Sequence, residues 1–373
     1  MEVSVVIPTM DEEATIEECI RKAKAVFKEM KIEGEVIVAD NSSDNTPAIA
    51  KRLGAKVITP KKFGYGNAYL AGFEVANGDY IAMADGDGTY NISEMKKLLK
   101  LLIDDEADFV IGSRFKGEIK KGAMSFLHRR LGNPFFNWFL NRIYKIDISD
   151  SHCGMRAFTR EAYKKMNLKT EGMEFASEMV IKAHNQGLRI KEVLISYYAR
   201  KGSKSKIKSF DDGWRHLRFM VLSSPPSIFI YPGTLLMVVG LLLLLILLGG
   251  PVFLLGFPLY IHPMIFGSMF TIVGFQLFSL GLFSAVYRRR INANGKGESD
   301  FFARNLRLET GLVAGGLALT VGILIGVWIV YNWIVSGFGP LAYQREAIVS
   351  STLVALGVQV AFTSLFSSIL MME

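Results

Sequence analysis

Residues 79–90 read DYIAMADGDGTY, an apolar run from Tyr80 to Ala84 that stops abruptly at Asp85-Gly86-Asp87-Gly88. A short buried strand ending on two aspartates carries both carboxylates to its carboxyl end, where open α/β sheets bind ligands. The glycines keep the turn tight and leave room for a bound group. Two carboxylates so close repel each other, and such a pair persists most readily with a cation between them. A hard divalent ion that also grips a diphosphate suits these oxygen ligands best. A solvated Asp-Gly turn is the commoner use of the pattern, so the surrounding segments must decide.

Toward the amino terminus, Val3 to Ile7 reads as a β-branched strand closed by Pro8. Asp11-Glu12-Glu13 then opens a helix through about Met30, its acids placed where the helix dipole favours them. A second strand, Glu35 to Ala39, ends in the polar run DNSSDNT (40–46), with a helix from Pro47. Val57-Ile58 is a third, followed by FGYGNA (63–68) and a helix to about Val75, and Phe109 to Gly112 is another beyond the acidic turn. Strands alternating with helices across short loops predict a mostly parallel, doubly wound sheet. The glycines at 64 and 66 are not a dinucleotide fingerprint, which would directly follow the first strand, where Pro8 stands. Nor is there a GKS/T phosphate loop.

The 373-residue chain changes character near Ser224, from charged to mostly apolar, with Pro225-Pro226 at the boundary. Four apolar stretches follow, at about 228–249, 262–287, 308–336 and 346–371, each long enough to cross a hydrocarbon core of about 30 Å. The middle connection carries Arg288, Arg289, Arg290, Lys296, Arg304 and Arg307 against only Glu298 and Asp300, and the outer two are uncharged. The positive-inside rule then puts the middle loop, the amino-terminal half and the carboxyl terminus in the cytoplasm. Small residues such as Gly311, Gly315 and Gly322 suit close helix contact, within the chain or between copies in a homo-oligomer. Scarce intramembrane charge argues against an ion-coupled transporter.

A net charge of +8 without a compact basic block interleaved with aromatics matches no nucleic-acid module; a membrane surface and an anionic substrate account for it better. Cys19 and Cys153 form neither a CxxC pair nor a disulfide framework and read as core thiols. Met1 runs into the first strand with no basic region or cleavage site, so no signal peptide is expected. His152 has no partner at metal-ligand spacing.

Cations gather at 111–130: Arg114, Lys116, Lys120, Lys121, Arg129 and Arg130. The lysines read as solvated, whereas Arg114 and at least one of Arg129 and Arg130 suit bidentate phosphate binding. The segment leads into 124–144, where Phe126, Leu127, Leu131, Phe135, Trp138 and Leu140 interleave with basic and polar residues and Pro134 breaks the run. It is too polar to span a bilayer and suits an interfacial helix pair. A second amphipathic helix is expected at 210–223, with Phe210, Trp214, Leu217 and Val221 on one face. A core helix is the commoner use of such a stripe; nearness to the first span favours the interface.

Taken in order, VVIPTMDEE (5–13), VADNSSDNT (38–46), GYGNAYLAGF (64–73), ADGDG (84–88), IGSRF (111–115), SDSHCGMRAF (149–158) and FASEM (175–179) resemble the motifs of family 2 glycosyltransferases, especially polyprenyl- and dolichyl-phosphate hexose synthases. The resemblance implies a GT-A catalytic domain, Rossmann-like with a mostly parallel doubly wound sheet, at about 1–209. A linker helix at 210–225 and an all-α transmembrane domain of four helices at 226–373 would follow. It further implies that Pro8, Thr9, Glu12, Asp40, Asn41, Asp44, Gly66, Asn67, Asp85 and Gly86 line a UDP- or GDP-sugar. Asp85 and Asp87 would hold Mg²⁺ or Mn²⁺, Arg114 would meet phosphate, and Asp150 and Glu178 would lie near donor sugar or acceptor. Arg200, Ser205 and Lys206 would close over the site and bind the acceptor phosphate. Asn41, Thr89 and His152-Cys153 depart from the usual residues, which bears on the donor sugar.

Such a protein would pass a hexose or N-acetylhexosamine to dolichyl or polyprenyl phosphate at the cytoplasmic face. A lipid monophosphate, with a second pKa of about 6, needs no strong base, leaving Asp150 at most a positioning group or weak base. A processive polysaccharide synthase is the other enzymatic reading, but Trp214-Arg215 lacks the glutamine of a QxxRW motif. A non-catalytic membrane scaffold is the third, and the intact Asp85, Asp87, Asp150 and Glu178 speak against it.

Overall fold

A computed structural model describes residues 1–201, 209–222, 224, 226–254, 256–291, 308–340 and 343–372. Ser205, Lys206, Lys296, Glu298, Asp300, Arg304 and Arg307 lie outside the described residues, as do the side chains of Phe210 and of Arg288, Arg289 and Arg290. The chain forms two compact units, Met1–Ser223 and Ser224–Glu373.

The first unit is built on β1 (Val3–Thr9), β2 (Gly34–Asp40), β3 (Lys56–Ile58), β4 (Tyr80–Met83), β5 (Phe109–Ile119), β6 (Arg156–Thr159) and β7 (Ile190–Tyr197), in the sheet order β3-β2-β1-β4-β6-β5-β7. All neighbours pair in parallel except β6, which runs against both β4 and β5. Strands β1 and β4 read as apolar runs because helices cover both faces: Val3, Val5, Val6, Ile7, Ile81 and Ala82 are fully buried. Helix α1 (Ile16–Met30) lays Ile16, Ile20, Ala23 and Phe27 on the sheet at helical spacing. The other helices are α2 (Thr46–Arg52), α3 (Tyr65–Glu74), α4 (Met95–Ile103), α5 (Asn133–Tyr144), α6 (Arg160–Met166), α7 (Phe175–Asn185) and α8 (Ser209–Leu222).

Reversal of β6 matters for position. Its first residue, Arg156, pairs with Met83 near the end of β4 and with Ile111 in β5, so the preceding segment 149–155 emerges beside the acidic turn. Pro134 stands in the first turn of α5 rather than breaking it, the place where a missing N–H costs nothing. A π-helical turn, His128–Gly132, runs directly into it. Phe126, Leu127, Leu131, Phe135 and Trp138 are exposed there, and Trp214 is exposed on α8.

The second unit consists of α9 (Ser227–Leu248), α10 (His262–Ile291), α11 (Leu308–Val335) and α12 (Gln344–Met372), with a hairpin of β8 (Val252–Leu254) and β9 (Phe257–Leu259) that sequence did not suggest. All four helices are long and apolar enough to cross a membrane. The chain is a membrane protein. Helices α11 and α12 meet backbone to backbone: a Cβ on Gly315 would stand 2.7 Å from the Gly357 carbonyl, and one on Gly357 2.5 Å from Leu319 N. The small residues of the third span thus serve contact within the chain. Helices α10 and α12 run parallel, since Ser268 meets Thr352 at 2.7 Å and Thr363 donates to Ser279 at 3.1 Å, both pairs 84 residues apart.

Candidate active site

Carboxyl ends of β1, β2, β4 and β7, the middle of β5 and the segment before β6 bring the expected residues to one edge of the sheet. At the β1–β2 side, Thr9 Oγ1 donates to Asp40 Oδ1 at 2.7 Å, and Ser42 Oγ donates to the same oxygen at 2.5 Å. Asn41 Nδ2 donates to the Pro60 carbonyl, and Asp44 accepts from Thr46 and from Glu13 N. Asp40, Thr9 and Glu12 are buried, while Pro8 is partly exposed.

Asp85 Oδ1 accepts from the hydroxyls of Tyr65 (3.1 Å) and Tyr69 (3.0 Å), one turn apart on α3. Its other oxygen faces Gly154, where a Cβ would stand only 2.6 Å away. Burial, and then the charge of Asp87, push the Asp85 carboxyl up to about 6. Asp87 Oδ1 accepts from Thr89 N (3.0 Å) and Oγ1 (2.6 Å), and Asp87 Oδ2 lies 3.7 Å from Arg200 Nη1. Arg200 also pairs with Glu12. The Gly86 carbonyl accepts from Thr15 Oγ1 at 2.6 Å, which ties the turn to α1.

No cluster of three or more acidic, His or Cys side chains able to hold a metal occurs among the described residues. Two half-buried carboxylates at the end of β4 nevertheless suit Mg²⁺ or Mn²⁺, which take one or two protein carboxylates and complete their shell with phosphate and water. Each carboxylate has one oxygen engaged, Asp85 Oδ1 by the two tyrosine hydroxyls and Asp87 Oδ1 by Thr89, while Asp85 Oδ2 lies against Gly154 and Asp87 Oδ2 lies near Arg200.

Arg114 and Asp150 find each other. Asp150, fully buried, accepts from Arg114 N (2.9 Å) and Nε (2.7 Å) on Oδ2 and from Nη2 (2.8 Å) on Oδ1. The guanidinium lies over the Tyr197 ring, 5.0 Å from its centre. Although burial disfavours the charge, Asp150 holds Arg114 well above the usual arginine range. A carboxylate occupied on both oxygens is poorly placed to take a proton from substrate, so of the two roles expected at 150 the geometry favours the positioning group over the weak base.

Glu178 is turned toward the protein: it accepts from Lys169 N, Thr170 N and Thr170 Oγ1 and pairs with Lys182. The loop it holds backs the 64–67 segment, where Asn67 N donates to the Glu171 carbonyl and a Cβ on Gly66 would strike the Thr170 carbonyl at 2.2 Å. Arg129 and Arg130 are solvent-exposed on the π-helical turn. Their side chains are not folded into the acidic edge.

Several residues escaped the sequence reading. Tyr65 and Tyr69, four apart, were legible in principle as one helix face. Arg156, fully buried, donates to the carbonyls of Ser151, Cys153 and Ala176 and so shapes the segment that carries Asp150. Asn137 braces the same segment through Ser149 O and Ser151. His216 of α8 contacts Ser177 Oγ at 2.9 Å and His152 at 3.3 Å. Arg156, Asn137 and His216 stand in no pattern that marks them from sequence, and His216 meets partners 39 and 64 residues away.

Residues 4–166 match the model described as glycosyl transferase family 2, and residues 286–371 match the glycosyltransferase family 2 C-terminal transmembrane region. A low-salt glycan biosynthesis hexosyltransferase of Haloferax volcanii is 42% identical over 361 residues, 97% of this chain and 87% of that protein. A dolichyl-phosphate hexose transferase of the same organism is 34% identical over 180 residues, 48% of this chain and 76% of its own length. Among solved structures, glucosyl-3-phosphoglycerate synthase from Mycobacterium tuberculosis covers 59% of this chain, and 78% of that chain is covered, at 20% identity and a TM-score of 0.47.

Proposed function

The chain belongs to glycosyltransferase family 2, and from that premise we propose that it transfers a hexose or N-acetylhexosamine from a UDP- or GDP-sugar to dolichyl or polyprenyl phosphate on the cytoplasmic face of a membrane. The observation that carries the reading is the meeting of Asp85, Asp87, Arg200 and the Arg114–Asp150 clamp at one sheet edge, in a chain that continues into four apolar helices. The dolichyl-phosphate hexose transferase relative supports the lipid-phosphate acceptor.

Thr9, Asp40, Asn41 and Asp44 form the wall for base and ribose, with Pro8, Glu12, Gly66 and Asn67 around it. Asp87, with Asp85 beside it, would hold Mg²⁺ or Mn²⁺, which when bound neutralises the charge that builds on the departing diphosphate. Arg200, paired with Glu12 and close to Asp87, adds a cation on the same side. Arg114 spends Nε and Nη2 hydrogens on Asp150, and the guanidinium has further N–H donors for an acceptor phosphate. Stacking on Tyr197 keeps it flat. The lipid phosphate attacks without a protein base, being mostly dianionic near neutral pH. Arg129 and Arg130 meet the anionic membrane surface, and copies associate through the membrane unit.

The test is a screen of UDP- and GDP-sugars with purified full-length protein and polyprenyl phosphate, with products weighed by mass spectrometry and chelator controls. A glycosyl polyprenyl phosphate formed only with divalent metal is expected. Failure to turn over any sugar nucleotide would instead favour a scaffold.

A further inference from the structure

Midway along the parallel pair α10 and α12, Phe275, Gln276, Ser279, Phe283, Gln359, Phe362, Thr363 and Phe366 line an open groove of about 510 Å³. Its upper and lower neighbours are settled. Thr363 bonds to Ser279, and Phe283 meets Phe366 edge to face with centroids 4.7 Å apart. Its amides are different: Gln359 Oε1 is buried without a hydrogen-bond partner among the described residues, and Gln276 is exposed. Both sit near the centre of spans His262–Val286 and Gln344–Met371, where no water is at hand to satisfy a carboxamide.

We infer that this face joins two copies of the chain, with the Gln359 carboxamide of each turning out of its buried position so that its Oε1 accepts from the Gln276 amide of the other. An isoprenoid or acyl chain fills the aromatic walls equally well but brings neither donor nor acceptor to mid-depth. A second copy brings both, because each glutamine offers two N–H groups and one carbonyl. A two-fold axis along the membrane normal makes the exchange reciprocal, the self-complementary arrangement of an isologous dimer. Interhelical bonds between amides are an established source of association in bilayers. The glycine seams do not compete for this role, being used within the chain. The inference rests on the membrane assignment and is independent of the catalytic reading.

The experiment co-expresses full-length chains carrying two different tags, one with Gln276→Cys and the other with Gln359→Cys, and oxidises the membranes. Native Cys19 and Cys153 are buried in the other unit. A cross-linked species bearing both tags is expected, and none from a control pair with Leu317→Cys and Leu324→Cys on α11. In parallel, single-molecule photobleaching in nanodiscs or vesicles should find wild type dimeric and the Gln276→Leu/Gln359→Leu double variant at least fivefold less so. A monomeric wild type, a double variant as dimeric as wild type, or a lipid adduct without the mixed cross-link would each overturn the inference.

Discussion

At the scale of single residues, the acidic turn and the Arg114–Asp150 clamp make separable demands. On the proposed assignment, Asp87→Ala should lower kcat by about 100-fold or more while the protein still inserts, because it would remove a ligand of the cation that offsets leaving-group charge. Initial rates across a Mg²⁺ or Mn²⁺ titration check this, and unchanged activity would remove the metal role. Asp150→Ala strands a buried guanidinium and should destabilise the first unit by about 3 to 5 kcal/mol. Thermal unfolding should show a lowered Tm, partly restored by adding Arg114→Met. Gly154→Ala should impair transfer with little loss of expression, since the new methyl group must displace the Asp85 carboxylate. Asp85, Asp87 and Arg114 were legible in the sequence because motif and chemistry coincide within a few residues. That Arg114 and Asp150 neutralise each other was not, since 36 residues separate them.

Among the elements, α8 joins the first unit through a buried histidine. Burial, followed by the charge of Arg156, depresses the His216 imidazole to about 4 from an ordinary 6.5, and His152 is lowered too, by burial and then by His216. A depressed folded value means that the unfolded chain binds the proton first as pH falls. Stability is therefore complete above about pH 6.5 and is lost progressively toward pH 4, by about 3 kcal/mol for His216 alone. Unfolding of the full chain in detergent between pH 7 and 4 should show this slope, and His216→Leu should flatten it. The alternation of strands and helices was readable from β-branched runs and turn residues. The reversed β6 and the edge strand β7 were not, because a four-residue strand has too few side chains to declare its direction, and β7 is only half-buried.

For the whole molecule, the division near Ser224 and the four spans followed from composition alone, since twenty-odd apolar residues in a row have few other fates. The arginines of the middle connection are the basis on which we propose the orientation. Asn294→Cys should react with an impermeant thiol reagent only from the cytoplasmic side, and Ser336→Cys only from the opposite side; labelling of intact cells against inverted vesicles checks both. An acceptor lacking its phosphate should yield no product, and efficient glycosylation of a free polyprenol would mean that a base had been missed.

Because β6 runs backwards, the acidic edge is fed from two distant parts of the chain, the first ninety residues and the stretch from β5 to Arg200. On the proposed assignment the former would carry most of what grips the nucleotide, with Arg200 added from the latter, and the rest of the latter would meet the acceptor. Evolution can therefore redraft the recipient while leaving the activated sugar's berth intact, and a chimera grafted at the start of β5 should keep its host's donor and adopt its guest's destination.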